Sequence, residues 1–145
     1  MNWKEEAMEK LRKYGAMRLA AVNIPAEIKR LELEAKSIRS AKLDKAPSPG
    51  GENRREEALL NNIAHRQELA WMLEQANFWL RITDRALTAL SHEEKQILSR
   101  LYIYPEKGNL EKLCAELKLE KSSIYRRRDK ALERFTLALY GVPQP

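Results

Sequence analysis

Apolar residues recur at three- and four-residue spacing with charged residues between them, a pattern that predicts helices along the whole chain and an all-α fold. Residues 2–22 and 26–43 read as two helices broken near Asn23-Ile24-Pro25. Proline is tolerated at a helix start and not in its interior, so Pro25 is expected to open the second helix. In that helix Ile28, Leu31, Leu33, Ala35 and Ile38 form a blurred stripe, and Lys and Arg occupy much of the rest. The stretch DKAPSPGGEN, residues 44–53, interrupts the pattern with prolines and a Gly-Gly pair and offers no apolar anchor, which marks a linker and the main division of the chain.

A long helical pattern then runs from Arg54 to about Ala89. Leu59, Ile63, Ala70, Leu73, Leu80 and Leu87 lie near one stripe, widened by Leu60, Leu69, Met72, Ala76 and Trp79. A face this broad needs a partner, either the first two helices or a second copy of the chain. Trp71, Phe78 and Trp79 are read as core or dimer contacts. The chain therefore divides into a basic helical region (1–43), the linker (44–53), a long connecting helix (54–89) and a C-terminal domain (90–141).

That last domain has the clearest local signals. Ser91 stands three residues before Glu94 and just ahead of Ile97, Leu98, Leu101 and Tyr102, the signature of a capping box at a helix N-terminus. The helix is expected to reach about Tyr104, where Pro105-Glu-Lys-Gly108 turns the chain. A short helix from Leu110 to about Lys118 follows, with Leu110, Leu113, Cys114 and Leu117 inward. The final helix opens near Lys121 and continues through Tyr140, with Gly141 as its stop. Leu117 closes one helix, Leu119 plugs the turn and Ile124 anchors the next, and this arrangement defines a helix-turn-helix.

In such a motif the second helix enters the major groove and its first residues meet base edges. At about 100° per residue, Ile124, Ala131, Leu132, Phe135 and Leu139 share the buried side of the last helix. Ser122 and Arg126 point away from it, flanked by Ser123 and Tyr125. Together with Lys121 these are the candidate base-reading residues, and Arg126 has the paired donors that suit guanine. Arg127 and Lys130 lie further round, at an angle suited to the phosphate backbone. Arg128 falls near the apolar stripe, where it has either to snorkel or to pair with an acid.

Composition supports a polyanionic partner. The net charge is +6 over 145 residues. Residues 1–43 carry ten Lys/Arg against six Asp/Glu and residues 109–145 eight against five, around a balanced middle, so the excess lies at the two ends. Neutralising phosphates with such clusters releases counterions. Other chemistries are expected to be absent. One cysteine and two distant histidines, His65 and His92, do not make a zinc site, and Cys114 reads as a small buried hydrophobe. The acids pair with bases along helix surfaces and do not converge with a nucleophile, so no catalytic residue, metal or cofactor is expected. No apolar run approaches the ~18 residues of a membrane span, and the charged N-terminus differs from a secretory signal; a cytoplasmic protein is expected.

Two segments carry a family resemblance. LSHEEKQILSRLY (90–102), followed by NLEKLCAELKLEKSSIYRRRDKALERF (109–135), resembles the fourth region of bacterial sigma factors. More narrowly, Tyr125-Arg126 near the start of the last helix and the ending Leu139-Tyr140-Gly141 resemble the ArpU/RinA-type regulators of phage late genes in Firmicutes. The basic helices ending in IRSAK and the Pro-Gly linker fit the looser N-terminal pattern of those proteins. The resemblance implies sequence-specific promoter binding on double-stranded DNA and transcription control in a bacterial host cell. It leaves room for contact with RNA polymerase, and it places Lys121, Ser122, Ser123, Tyr125 and Arg126 at base- and backbone-reading positions. Two departures matter. The sigma pattern carries charged residues where Ser122 and Ser123 stand, and no segment resembles the region that melts a −10 element. The competing readings are a DNA-packaging protein of the small-terminase kind and an assembly protein that binds polymerase. A homodimer through the N-terminal half and the long helix is the expected oligomer.

Overall fold

The computed structural model describes residues 2–44 and 51–141, and those residues form an all-α protein. Its helices are α1 (Trp3–Asp44), α2 (Gly51–Thr88), α3 (His92–Leu98), α4 (Asn109–Leu117) and α5 (Lys121–Tyr140). A π-helical turn, Ser99–Ile103, extends α3. The central part of the proline-glycine stretch, residues 45–50, lies outside the described residues. Gly51, Glu52 and Asn53 belong to α2, where the Glu52 carboxylate suits the positive end of the helix dipole.

Where the sequence predicts a break at Pro25, α1 runs through it. A proline inside a helix deprives the carbonyl four residues back of its donor, at a cost of about 3 kcal/mol. Here Pro25 is exposed and Ala21, whose carbonyl loses that donor, is only half-buried, so water can take the place of the missing N–H. Burial of Ile24, Leu31 and Ala35 on the other side of α1 holds the helix together across the proline.

Contacts group the chain into two compact units, Leu19–Asn77 and the combination of Met1–Arg18 with Phe78–Pro145. In the first, the later part of α1 lies against the earlier part of α2. Asn62 is buried there, donating from Nδ2 to the Leu31 carbonyl at 2.8 Å, while its Oδ1 accepts from Arg66 Nε at 2.8 Å. A buried amide satisfied on both sides fixes the register of two helices, because any slide leaves a donor or acceptor unpaired. The apolar core of this unit is thin. Leu33, Leu60 and Met72, read from the sequence as part of apolar stripes, and Trp71, read as a core or dimer contact, are exposed, Trp71 at 61% and Leu60 at 66%. A helix with one neighbour buries only one narrow face, so a stripe as wide as that of α2 cannot all be covered.

The second unit holds the main core. Ala7, Leu11 and Tyr14 of α1 meet Ala86 near the end of α2 and Leu90 in the turn after it, Leu98, Tyr102 and Ile103 of α3 and its π turn, and Ala131, Leu132 and Phe135 of α5. Tyr14 donates its hydroxyl to Asp84 and accepts from Arg18 Nη1 at 2.7 Å, which ties α1 to α2 at the edge of this core. Burial and the bond to Asp84 push the Tyr14 hydroxyl above its ordinary pKa, whereas Arg18 opposes the shift. Trp79 takes Lys10 against its ring face at 3.8 Å, and Phe78, beside it, is exposed.

Candidate nucleic-acid interface

The last three helices begin at a strong start signal. The Ser91 hydroxyl accepts from the Glu94 N–H at 3.1 Å, and the Glu94 carboxylate accepts from the Ser91 N–H at 3.0 Å. This reciprocal cap satisfies two donors that the helix itself cannot. Burial of Glu94 works against its charge, but the bonds from Ser91 and Arg134 outweigh it and hold the carboxyl below its ordinary pKa. A depressed carboxyl stabilises the fold above its unfolded-state pKa, and the contribution is lost as pH falls through the folded value. Ser91→Ala is expected to destabilise the protein by about 0.5–2 kcal/mol in thermal melts, and the deficit should shrink as the pH is lowered and Glu94 protonates.

The π turn follows because the chain bonds one residue further on: the Tyr104 N–H reaches the Ser99 carbonyl at 2.8 Å. Buried Asn109, the first residue of α4, donates to the carbonyls of Arg100 and Tyr104 at 2.8 and 3.0 Å. This residue pins α4 under the turn and closes carbonyls the widened helix leaves open.

Helix α4 ends at Leu117, and three residues separate it from α5. Lys118 takes a left-handed conformation (φ 54°), the Leu119 N–H returns to the Cys114 carbonyl at 3.1 Å, and Glu120 is extended at the start of α5. Ile97, Leu113 and Ile124, all fully buried, form the small core beneath this turn, with Leu101, Leu110, Cys114, Leu117 and Leu119 packed around it. Leu119 plugs the turn and Ile124 anchors α5, as their spacing predicts. Cys114 is half-buried there.

With Ile124, Ala131, Leu132 and Phe135 buried, the opposite face of α5 is open. Lys121, Ser122, Tyr125, Arg126, Arg127 and Lys130 are all exposed, and Ser123 is half-buried. Lys121 Nζ lies 3.8 Å from Glu111. Among the described residues Arg126 Nη2 reaches only its own helix, donating to Ser123 Oγ at 3.3 Å. Arg127 is not free: it is paired with Glu93 of α3. Arg128 takes a position the sequence left open. Its guanidinium sits 4.7 Å above the Tyr125 ring and donates to Asp129 at 2.9 and 3.1 Å, so it snorkels and pairs with its own neighbour. Tyr102 lies beneath, its hydroxyl raised in pKa by burial and drawn back by Arg128 and Arg12.

Two participants, Glu93 and Glu94, escape a reading of α5 alone. Glu93 and Glu94 pair with Arg127 and Arg134 across α3 and α5, and Arg134 extends the basic row by one turn. One signal for the row stands in the chain itself, Arg127, Lys130 and Arg134 at three- and four-residue spacing. The acids beside Ser91 are legible there only as parts of a cap.

Among the described residues, no group of three or more His, Cys, Asp or Glu could hold a metal ion, and no helix is long and apolar enough to cross a membrane. Comparison with protein-family models, curated proteins and solved structures returns no match to this chain.

Proposed function

We propose that the chain is a sequence-specific double-stranded DNA-binding transcriptional regulator, of the kind that controls phage or prophage genes in the bacterial cytoplasm. Helix α5 enters the major groove from Lys121, with Lys121, Ser122, Ser123, Tyr125 and Arg126 toward base edges and Arg127 and Lys130 toward phosphates. The observation that carries this reading is the geometry of α5: a three-residue turn and a fully buried Ile124 fix the helix, while its first two turns present cations, hydroxyls and a ring outward. A charged helix face alone is commonly just solvated. A charged face held opposite a packed anchor, at the start of the second helix of a helix-turn-helix, is what major-groove reading requires.

Selection of bound duplexes from random-sequence and phage genomic DNA tests the proposal. A recovered consensus that competes against bulk DNA supports it; recovery of no consensus counts against it. Lys130→Ala is expected to weaken binding equally across sequences and to make the dependence of log K on log salt shallower by about 0.9. An unchanged slope would remove Lys130 from the phosphate contacts.

The exposed Leu33, Leu60, Trp71 and Met72 of the Leu19–Asn77 unit support a homodimer that covers them. A sedimentation coefficient of a monomer at tens of micromolar would exclude it. Ring-shaped higher oligomers would favour DNA packaging over regulation.

A further inference from the structure

One flank of α5 faces the start of α3. Arg127, Lys130 and Arg134 share a row on that flank, and with Glu93, Glu94 and Ile97 they line a surface groove. Two of the three cations are already engaged, Arg127 by Glu93 and Arg134 by Glu94 at 2.9 Å. Lys130 has no partner among the described residues.

The two acids differ in what else they do. Glu94 closes the cap of α3 and is bound to Ser91 whether or not anything occupies the groove. Glu93 takes no part in the cap, and its one partner among the described residues is Arg127. Both side chains of that pair reach solvent, half-buried Glu93 at 36% and exposed Arg127 at 49%. An exposed pair is weak, so it opens readily once a better partner is held in place. Until then it has two effects on an approaching duplex. Arg127 arrives with its charge already neutralised, so its contact with a phosphate releases no counterion, and the Glu93 carboxylate repels the backbone.

We propose that Glu93 is a selectivity-determining residue of this groove, holding Arg127 in an intramolecular pair that opens only when α5 is seated on its proper sequence. The inference rests on α5 binding duplex DNA. On random sequence, α5 makes no base contacts to hold the backbone against the pair, and Lys130 alone of the row meets phosphate. On the cognate sequence, the base contacts bring a phosphate close enough to displace Glu93.

The probe is a short random-sequence duplex, titrated across salt concentrations with full-length wild type, Glu93→Gln and Glu9→Gln. Glu9 forms a similar exposed pair with Arg12 at 2.7 Å on α1, so its substitution removes the same charge and frees an arginine elsewhere. One added phosphate contact steepens the salt dependence by about 0.9 and, near ~0.15 M salt, tightens binding about five-fold. Glu93→Gln is expected to show both changes and Glu9→Gln neither, with melting curves establishing that both variants are folded. A duplex recovered by site selection should gain less from Glu93→Gln than the random one, narrowing the ratio between them. Unchanged or weaker random-duplex binding by Glu93→Gln overturns the proposal, as does an equal gain from Glu9→Gln. If wild type binds no duplex even at low salt, the DNA reading falls and takes this inference with it.

Discussion

Phe135→Ala is expected to cost about 3–5 kcal/mol of stability, a loss at the upper end for a single side-chain truncation. Phe135 heads the fully buried side chains by volume and sits in the core shared by α1, α2, α3 and α5. Its removal leaves a cavity bounded by separate helices, and such walls close only partly. Against a total stability of roughly 5–15 kcal/mol for a small protein, that loss is severe, and a fall in melting temperature of more than about 10 °C should accompany it. A loss below about 1 kcal/mol in chemical denaturation would mean the core is not packed as described. The same core makes a second demand. Leu11 is fully buried among these residues, so a fragment spanning 90–141 lacks part of its own cover and should not fold by itself. Circular dichroism of that fragment checks the point.

The helical class and the C-terminal elements were legible in the sequence because their ends carry local chemistry. The Ser91–Glu94 cap and the left-handed Gly141 (φ 67°) at the end of α5 depend on neighbours within a few residues. The plug and anchor at Leu119 and Ile124 are marked by their spacing around the turn, although Ile124 packs on the distant Ile97 as well as on Leu113. Pro25 misled because its cost depends on what surrounds it: an exposed proline in a helix held by Ile24, Leu31 and Ala35 does not end that helix. The π turn was invisible for a related reason. It is stabilised from outside by Asn109, which no helical periodicity in residues 90–104 can announce.

The grouping of α1's first turns with the C-terminal helices was also hidden, since apolar spacing shows which face is buried and never against which partner. Leu60 and Trp71 illustrate the limit from the other side. Being apolar they widen the pattern, yet at about 100° per residue they lie roughly 120° or more round the helix from the centre of the stripe that holds Leu59 and Leu73, and a single neighbour leaves that side uncovered. For the candidate interface, the α5 residues could be read from angles alone. The α3 acids could not, as their role comes from the distance between two helices. Arg127 looked equivalent to Lys130 by angle, and only its pairing with Glu93 separates them.

Arg126→Ala is expected to reduce affinity for the selected duplex by roughly 5- to 150-fold, the equivalent of about 1–3 kcal/mol, and to relax selectivity at one base pair. Arg126 differs from its neighbours in how little holds it. Arg127 is tied to Glu93 and Arg128 to Asp129 and the Tyr125 ring, whereas the Arg126 guanidinium has one 3.3 Å bond to a serine on its own helix. Redirecting it to a guanine edge therefore sacrifices little, and its planar fork supplies both donors that the O6 and N7 acceptors require. Arg126→Lys separates this role from simple charge. Lysine keeps the phosphate attraction and hence the salt slope, but it lacks the rigid fork, so it should recover random-duplex binding and only part of the sequence preference. Full selectivity in Arg126→Ala would move base reading elsewhere on α5, with Lys121 and Tyr125 the next residues to substitute. Full recovery by lysine would reduce Arg126 to a phosphate contact.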